Sequence, residues 1–178
     1  MFSLLALVNS ASVNSAESEQ IVLAESSNHI SIPFLNNKAI IDGSYTQEEW
    51  AQSEYFQLNY ITRPFETLPA PVKTEVYVFE SGTDLYVLFV ATDPNPSQIR
   101  AFLRDRDANF GDDLVGVKID PYNDGRLAYQ FYANPLGVQG DSIENEMTGS
   151  DSTSWNGIWE SSGQLTETGF VVEMKIPL

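Results

Sequence analysis

Apolar and polar residues alternate through most of this chain in short runs broken by Gly, Asp, Asn and Pro. Strict alternation places neighbouring side chains on opposite faces of an extended strand. In Val72–Glu80, Thr74, Val76 and Val78 share one face, and Tyr77 and Phe79 share the other. Leu85–Thr92 is apolar on both faces, which predicts a central strand. The turn Ser81-Gly82-Thr83-Asp84 joins the two runs into a hairpin. Asp93-Pro94-Asn95-Pro96 ends that strand, because proline has no N–H for a ladder. Ile99–Leu103 is read as a further strand. Leu114–Ile119 and Leu127–Ala133 predict a second hairpin around Asn123-Asp124-Gly125. Leu127, Tyr129, Phe131 and Ala133 share one of its faces; Arg126, Ala128, Gln130 and Tyr132 share the other. Val138–Glu146 reads as a strand and Thr148–Ser154 as a loop. Ile158–Leu165 and Phe170–Ile176 form a last hairpin, with Phe170, Val172, Met174 and Ile176 pointing inward.

Turn signals recur at roughly ten-residue spacing without a long amphipathic helix, which predicts an all-β antiparallel β-sandwich. Ala39–Tyr45 reads as strand then turn, and Thr46 with Glu49 forms a capping box for one helical turn. Trp50, at the end of that turn, is expected to plug the sandwich. The chain stops just after a strand, at Ile176-Pro177-Leu178, where a bare sheet edge would be sticky. A sandwich lacking its last strand is therefore expected, with at least one more strand downstream. Residues 38–178 form the sandwich domain in this reading, and 17–37 a polar leader in which Ile30 and Ile32 mark a short edge strand. Met1–Val8 is apolar and Asn14-Ser15-Ala16 is small, which resembles the core and cleavage zone of a signal peptide over 1–16, truncated because no positive start precedes it. The run is too short to span a bilayer, which takes about 20 apolar residues.

With 178 residues, 42% of them hydrophobic, the chain can build one packed core. A formal net charge of −16 repels phosphate backbones and anionic leaflets, so nucleic acid is not an expected partner. Neutral sugars, cations and basic surfaces stay open. The chain has no cysteine, which excludes disulfides and thiolate metal sites.

Several motifs fall in a fixed order: Ile41-Asp42-Gly43 with Glu49-Trp50, Asp84-Leu85-Tyr86-Val87, Arg106-Asp107 with Gly111-Asp112-Asp113, Asp120 through Gly125, Phe131 with Asn134-Pro135-Leu136-Gly137, and Gly169-Phe170 with Glu173 through Pro177. This series resembles the carbohydrate-binding module family 9-like domain, related to the DOMON superfamily. It is especially similar to the version at the N-terminus of bacterial outer-membrane β-barrel proteins. The resemblance implies an immunoglobulin-like or jelly-roll sandwich, sugar binding and, in characterised members, a bound calcium. It also implies periplasmic or outer-membrane placement ahead of a membrane barrel in the same polypeptide. Related modules are often fused to glycosidases. In the best-known sugar binders two tryptophans sandwich the sugar, and the sequence does not place both.

Candidate chemistry falls in three groups. Trp155 and Trp159 flank a Gly-containing loop, where an indole could stack on the C–H face of a sugar; core or rim packing is the alternative. Arg126, Gln130 and Asn134, with Tyr132, could form a polar platform; a solvated face, or an Arg126 bridge to Asp113 or Asp120, is the alternative. Asp105, Asp107, Asp112 and Asp113 crowd one loop, and Asp120, Asn123 and Asp124 add oxygens of the kind Ca2+ needs; turn capping is the alternative. No carboxylate pair stands out as a glycosidase dyad. The only histidine, His29, leaves Met147 or Met174 as poor haem partners, so no haem is expected. The expectation is a non-catalytic module that binds carbohydrate, possible structural calcium included, and sits beside its own membrane barrel. An interaction domain without sugar affinity is the alternative.

Overall fold

The computed structural model describes residues 30–61 and 68–178. The proposed signal peptide and most of the polar leader lie outside the described residues, as does His29. Among the described residues nine strands form two antiparallel sheets: β1 (Glu54–Ile61), β2 (Leu68–Glu80), β3 (Asp84–Thr92), β4 (Val115–Ile119), β5 (Leu127–Ala133), β6 (Gln139–Asn145), β7 (Ser150–Ser152), β8 (Glu160–Thr166) and β9 (Gly169–Pro177). The larger sheet has the order β1-β2-β3-β9-β8, and the smaller sheet β4-β5-β6-β7. The fold is a β-sandwich, and the expected hairpins β2–β3, β4–β5 and β8–β9 are all present.

The face assignments follow from alternation. Val76, Val78, Val87, Phe89, Phe170, Val172, Met174 and Ile176 line the inner face of the larger sheet. Val115, Ile119, Phe131 and Ala133 meet them from the smaller sheet. β3 is central, as its two apolar faces require, because the back of the larger sheet is also buried. A strap over residues 30–53 lies there. Its backbone pairs with β2 at Glu80 (Leu35 N–H to Glu80 O, 2.8 Å; Glu80 N–H to Pro33 O, 3.0 Å). Trp50 closes the helical turn α1 (Gln47–Trp50) and packs edge-on against Phe79, whose ring stacks on Tyr86 at 4.6 Å. Trp50 thus plugs the back of one sheet and not the space between the sheets, a correction to the sequence reading.

One acid holds the strap down. Glu173, on β9, is 0% exposed. Its Oε2 accepts the N–H groups of Asp42 (2.9 Å) and Gly43 (2.8 Å), and its Oε1 accepts the Trp50 indole N–H at 3.3 Å. Gly43 has φ +88°, and a Cβ there would lie 3.1 Å from the Gly163 backbone. The strap can therefore approach β8 this closely only through glycine.

Other boundaries differ from expectation for local reasons. The Thr46 hydroxyl donates to the Glu49 carboxylate and accepts no backbone N–H, while Glu49 accepts the Ile40 N–H, so the two backbone bonds of the expected capping box do not form. Residues 99–103 form no strand: a 3-10 turn (Pro96–Gln98) precedes them, and aspartate side chains take up their N–H groups, as described below. The Thr148–Ser154 loop contains the short edge strand β7. β8 begins only at Glu160, since Ile158 is 93% exposed. β1 is an unexpected strand, and β2 starts earlier than its alternation suggests because Pro69 and Pro71 lie beyond the first β2–β3 pair, Lys73 with Thr92. β9 is paired on both sides, to β3 and to β8, and leaves no bare edge.

Glu173→Gln keeps the shape but sets an amide against three N–H donors. It is expected to cost about 1–3 kcal/mol, read as a lower urea midpoint. Burial raises the Glu173 carboxyl above its usual 4.5, although the Gly43 and Asp42 N–H groups pull the other way. The folded chain then holds this proton where the unfolded chain has lost it. Stability falls as pH rises from the usual value through the raised one. Glu173→Gln removes that slope; an identical pH profile in the variant contradicts the assignment.

Candidate functional site

The strap buries the outer side of β2, β3 and β9 in the larger sheet, while the outer face of the smaller sheet carries polar rows. β4, β5 and β6 set its rows in register: Gly116–Tyr132–Gly140 in one row and Lys118–Gln130–Ser142 in the next. Tyr132 thus has a glycine on each side. Its ring lies over Gly116, where a Cβ would come within 2.3 Å of the ring carbon Cδ1. Phe110 meets the ring edge-on at 6.0 Å. Below it the Ser142 hydroxyl donates to Gln130 Oε1 (2.7 Å), and Gln130 Nε2 donates to Glu144 (2.5 Å). Lys118 Nζ bridges Glu144 and Glu146, at 2.7 Å to each. Burial raises the Tyr132 hydroxyl above its usual value, and the charges of Asp151 and Glu144 add to that. Gln130 and Ser142 are buried and support this face from beneath, while the aromatic ring beside carboxylate and ammonium groups can stack on the apolar face of a sugar and hydrogen-bond its hydroxyls.

Of the residues singled out from sequence, Gln130 and Tyr132 meet on this platform. Arg126 lies just beyond its end, exposed, 3.9 Å from Asp124 and bridged to neither Asp113 nor Asp120. Asn134 is 0% exposed and fully engaged: Nδ2 donates to Phe102 O and Asp112 Oδ2, both at 2.9 Å, and Oδ1 accepts the Leu136 and Val138 N–H groups. It builds the β5–β6 turn and offers a ligand nothing. Both tryptophans sit on the opposite, inner side. Trp159 is buried, edge-on to Phe131, and donates its indole N–H to Asp141 Oδ2 at 2.8 Å. Trp155 is half-buried and edge-on to Tyr129 and Phe131, with Gly157 against its ring. The 155–159 segment is pinned by Arg106, which donates to Gly157 O (2.7 Å) and Gln139 (2.8 Å) and pairs with Asp141.

Three of the four loop aspartates, Asp107, Asp112 and Asp113, stand in for missing strand partners. Asp107, at φ 63°, donates its N–H to Gln139 O (3.0 Å) and accepts the Asp141 N–H on Oδ1 (2.9 Å), completing the β6 edge where β7 does not reach. Asp112 and Asp113 accept the N–H groups of Phe102 (3.1 Å) and Arg100 (2.9 Å). Asp105 stays exposed, its carbonyl closing a turn onto Ala108. Among the described residues no three acids or histidines converge on one point, and Asp107, Asp112 and Asp113 already accept backbone N–H groups. Asp120 likewise accepts the Tyr122, Asn123 and Gly125 N–H groups and organises the β4–β5 turn. Met174 is sealed in the core and Met147 is exposed on a turn. The fully buried acids, Asp141 and Glu173, are held by Arg106 and by the strap, so neither faces a substrate.

Lys118, Glu144, Ser142, Asp151 and Phe110 were not singled out from sequence. Lys118 opposite Gln130 follows from the β4–β5 hairpin register; Ser142, Glu144 and Asp151 require knowing that β6 and β7 lie on the far side of β5, and Phe110 requires the path of the loop ahead of β4.

Burial pulls the Asp112 carboxyl up, but the Asn134 amide, the Phe102 N–H and Arg104 outweigh it and hold it below 3.8. A depressed carboxyl contributes stability above its usual value, which is lost as pH falls through the folded one. Asp112→Asn is expected to flatten the acid limb of the stability profile measured by urea titration below the usual aspartate range. An unchanged acid limb contradicts this role.

The profile of a family described as carbohydrate family 9 binding domain-like matches residues 41–178. Solved structures share the fold. A "putative carbohydrate-binding protein" from Bacteroides uniformis ATCC 8492 aligns with a TM-score of 0.62 at 14% identity, over 84% of this chain and 72% of that one. A carbohydrate binding module family 9 from Caldicellulosiruptor kristjanssonii, in complex with cellotriose, gives 0.55 at 16% identity, over 83% and 66%. The same kind of module from that organism in complex with glucose gives 0.54 at 18%, over 84% and 68%. At such identities the likeness is one of fold. No curated protein matches the chain.

Proposed function

The chain belongs to the carbohydrate family 9 binding domain-like family, and on that premise we propose that it is a non-catalytic module that binds carbohydrate on the outer face of its smaller sheet. The observation that carries the site is the Tyr132 ring, laid down over Gly116 beside the Glu144 and Lys118 pair, with Phe110 and Asn109 filling the space over Gly140. Because Gly116 has no side chain the ring can lie on the sheet, and the ring face turned away from Gly116 is the one on which a pyranose can stack. Sugar binding is supported by the cellotriose and glucose complexes of similarly folded modules. The non-catalytic part of this reading is supported by the family match, which is to a binding domain. The parent is proposed to be an exported bacterial envelope protein, periplasmic or outer-membrane, with a membrane barrel downstream. The apolar start Met1–Val8 supports export.

A second reading, a docking domain without sugar affinity, is favoured by one feature. Tyr55, Leu58, Tyr60 and Leu68 stand exposed on β1 and β2 at the sheet edge.

Affinity electrophoresis in gels containing soluble glucans and xylans separates these readings. Retention of the wild-type protein, weakened roughly tenfold by Tyr132→Ala, is expected from loss of one stacking face. Trp155→Ala is expected to lower stability and leave retention in place. Retention that depends on Trp155 and not on Tyr132 overturns the site; retention on no polysaccharide overturns the function.

A further inference from the structure

We propose that this platform takes sugars bearing a protonated amine in preference to neutral ones, and disfavours sugars bearing carboxylate or sulfate. The inference rests on the sugar-binding reading above and concerns the ligand's charge. Tyr132 shares the outer face of β5 with Gln130, which donates to Glu144, and Glu144 stands between β5 and Asp151 on β7. Glu144, Glu146 and Asp151 place three carboxylates on this face against the single ammonium of Lys118. That ammonium is already shared between Glu144 and Glu146. Asp151 sits opposite Glu144 on the edge strand β7, exposed and without an ion pair among the described residues. Arg126, at the strand end, is offset by Asp124. The platform therefore has a free carboxylate and no free cation.

The aromatic partner has the same sense. The face of a phenol ring carries the negative side of its quadrupole and attracts an ammonium or the polarised C–H groups beside one. A glucosamine ring lying on Tyr132 can direct its ammonium to Asp151, exchanging part of its hydration for a charge-assisted hydrogen bond. A uronate or sulfated ring would set its own anion against Glu144 and Asp151 and find Lys118 already engaged. The net charge of −16 adds a long-range field of the same sign.

The test compares three tetramers by isothermal titration with the whole chain at low ionic strength, below the titration of the sugar amine: fully deacetylated chitotetraose, cellotetraose and tetragalacturonate. The glucosamine tetramer is expected to bind about fivefold tighter than cellotetraose, as one exposed charge pair allows. Added salt is expected to shrink that ratio. Asp151→Asn is expected to lower the ratio as well, and tetragalacturonate to bind weakest. Equal affinity for the glucosamine and glucose tetramers, or tighter binding of the uronate, overturns the charge preference and leaves the sugar site standing. Binding of none of the three overturns the sugar site, and the preference with it.

Discussion

A sheet can be buried on both faces only where its strands are apolar on both faces. β3 and β9 meet that condition: Leu85, Val87 and Phe89 alternate with Tyr86 and Leu88, and Val172 and Met174 alternate with Val171 and the hydrogen-bonded Glu173. Those strands stand at the centre of the larger sheet, and the strap closes over their outer side. β5 does not meet it. Its outer positions carry Ala128, Gln130 and Tyr132, which can be covered by one another and by Lys118 and Glu144 but cannot anchor a second apolar layer. The same difference in alternation that decides which sheet is sealed decides which sheet can meet a ligand.

Much of this was legible in the residues. The set Tyr129, Phe131 and Ala133 on one face and Gln130 and Tyr132 on the other follow from a two-residue period, and the structure keeps them, while Leu127, read on the first face, is exposed at the strand start. Hairpins with clear turn signals appear where expected. Elements without such a signal were missed: β1, whose apolar positions are mostly exposed, and β7, only Ser150–Ser152 long and lacking any apolar residue. Trp50 was correctly expected to be buried, but sequence could not say on which side of a sheet. That depends on Glu173, more than a hundred residues away in the chain, accepting its indole N–H.

The site was legible only in part, because chemical character and position are separate properties. Asn134 shares a strand face with Gln130 by parity, yet it lies at the turn, where the orphaned N–H groups of Leu136 and Val138 claim its oxygen. Trp155 and Trp159 have the chemistry of sugar stackers, but they cross from one sheet to the other and fall on the core side. The aspartates have the chemistry of cation ligands, but strand edges with unmatched N–H groups lie closer to hand. An unmet backbone donor in a folded interior is costly, so carboxylates on short side chains are recruited to it first. The same economy explains why the resemblance to sugar-binding modules transfers the fold and family more securely than it transfers any one ligand-binding residue.

The central claim is that ligand lies on the open sheet around Tyr132 and not against the indoles at the sandwich edge. Two-dimensional amide NMR of the labelled protein during titration with cellotetraose tests it most directly. The account predicts that shifts concentrate at Gly116, Lys118, Gln130, Tyr132 and Gly140, with the Trp155 and Trp159 indole signals unmoved. Shifts centred on the two indoles, with the sheet amides unchanged, would contradict it.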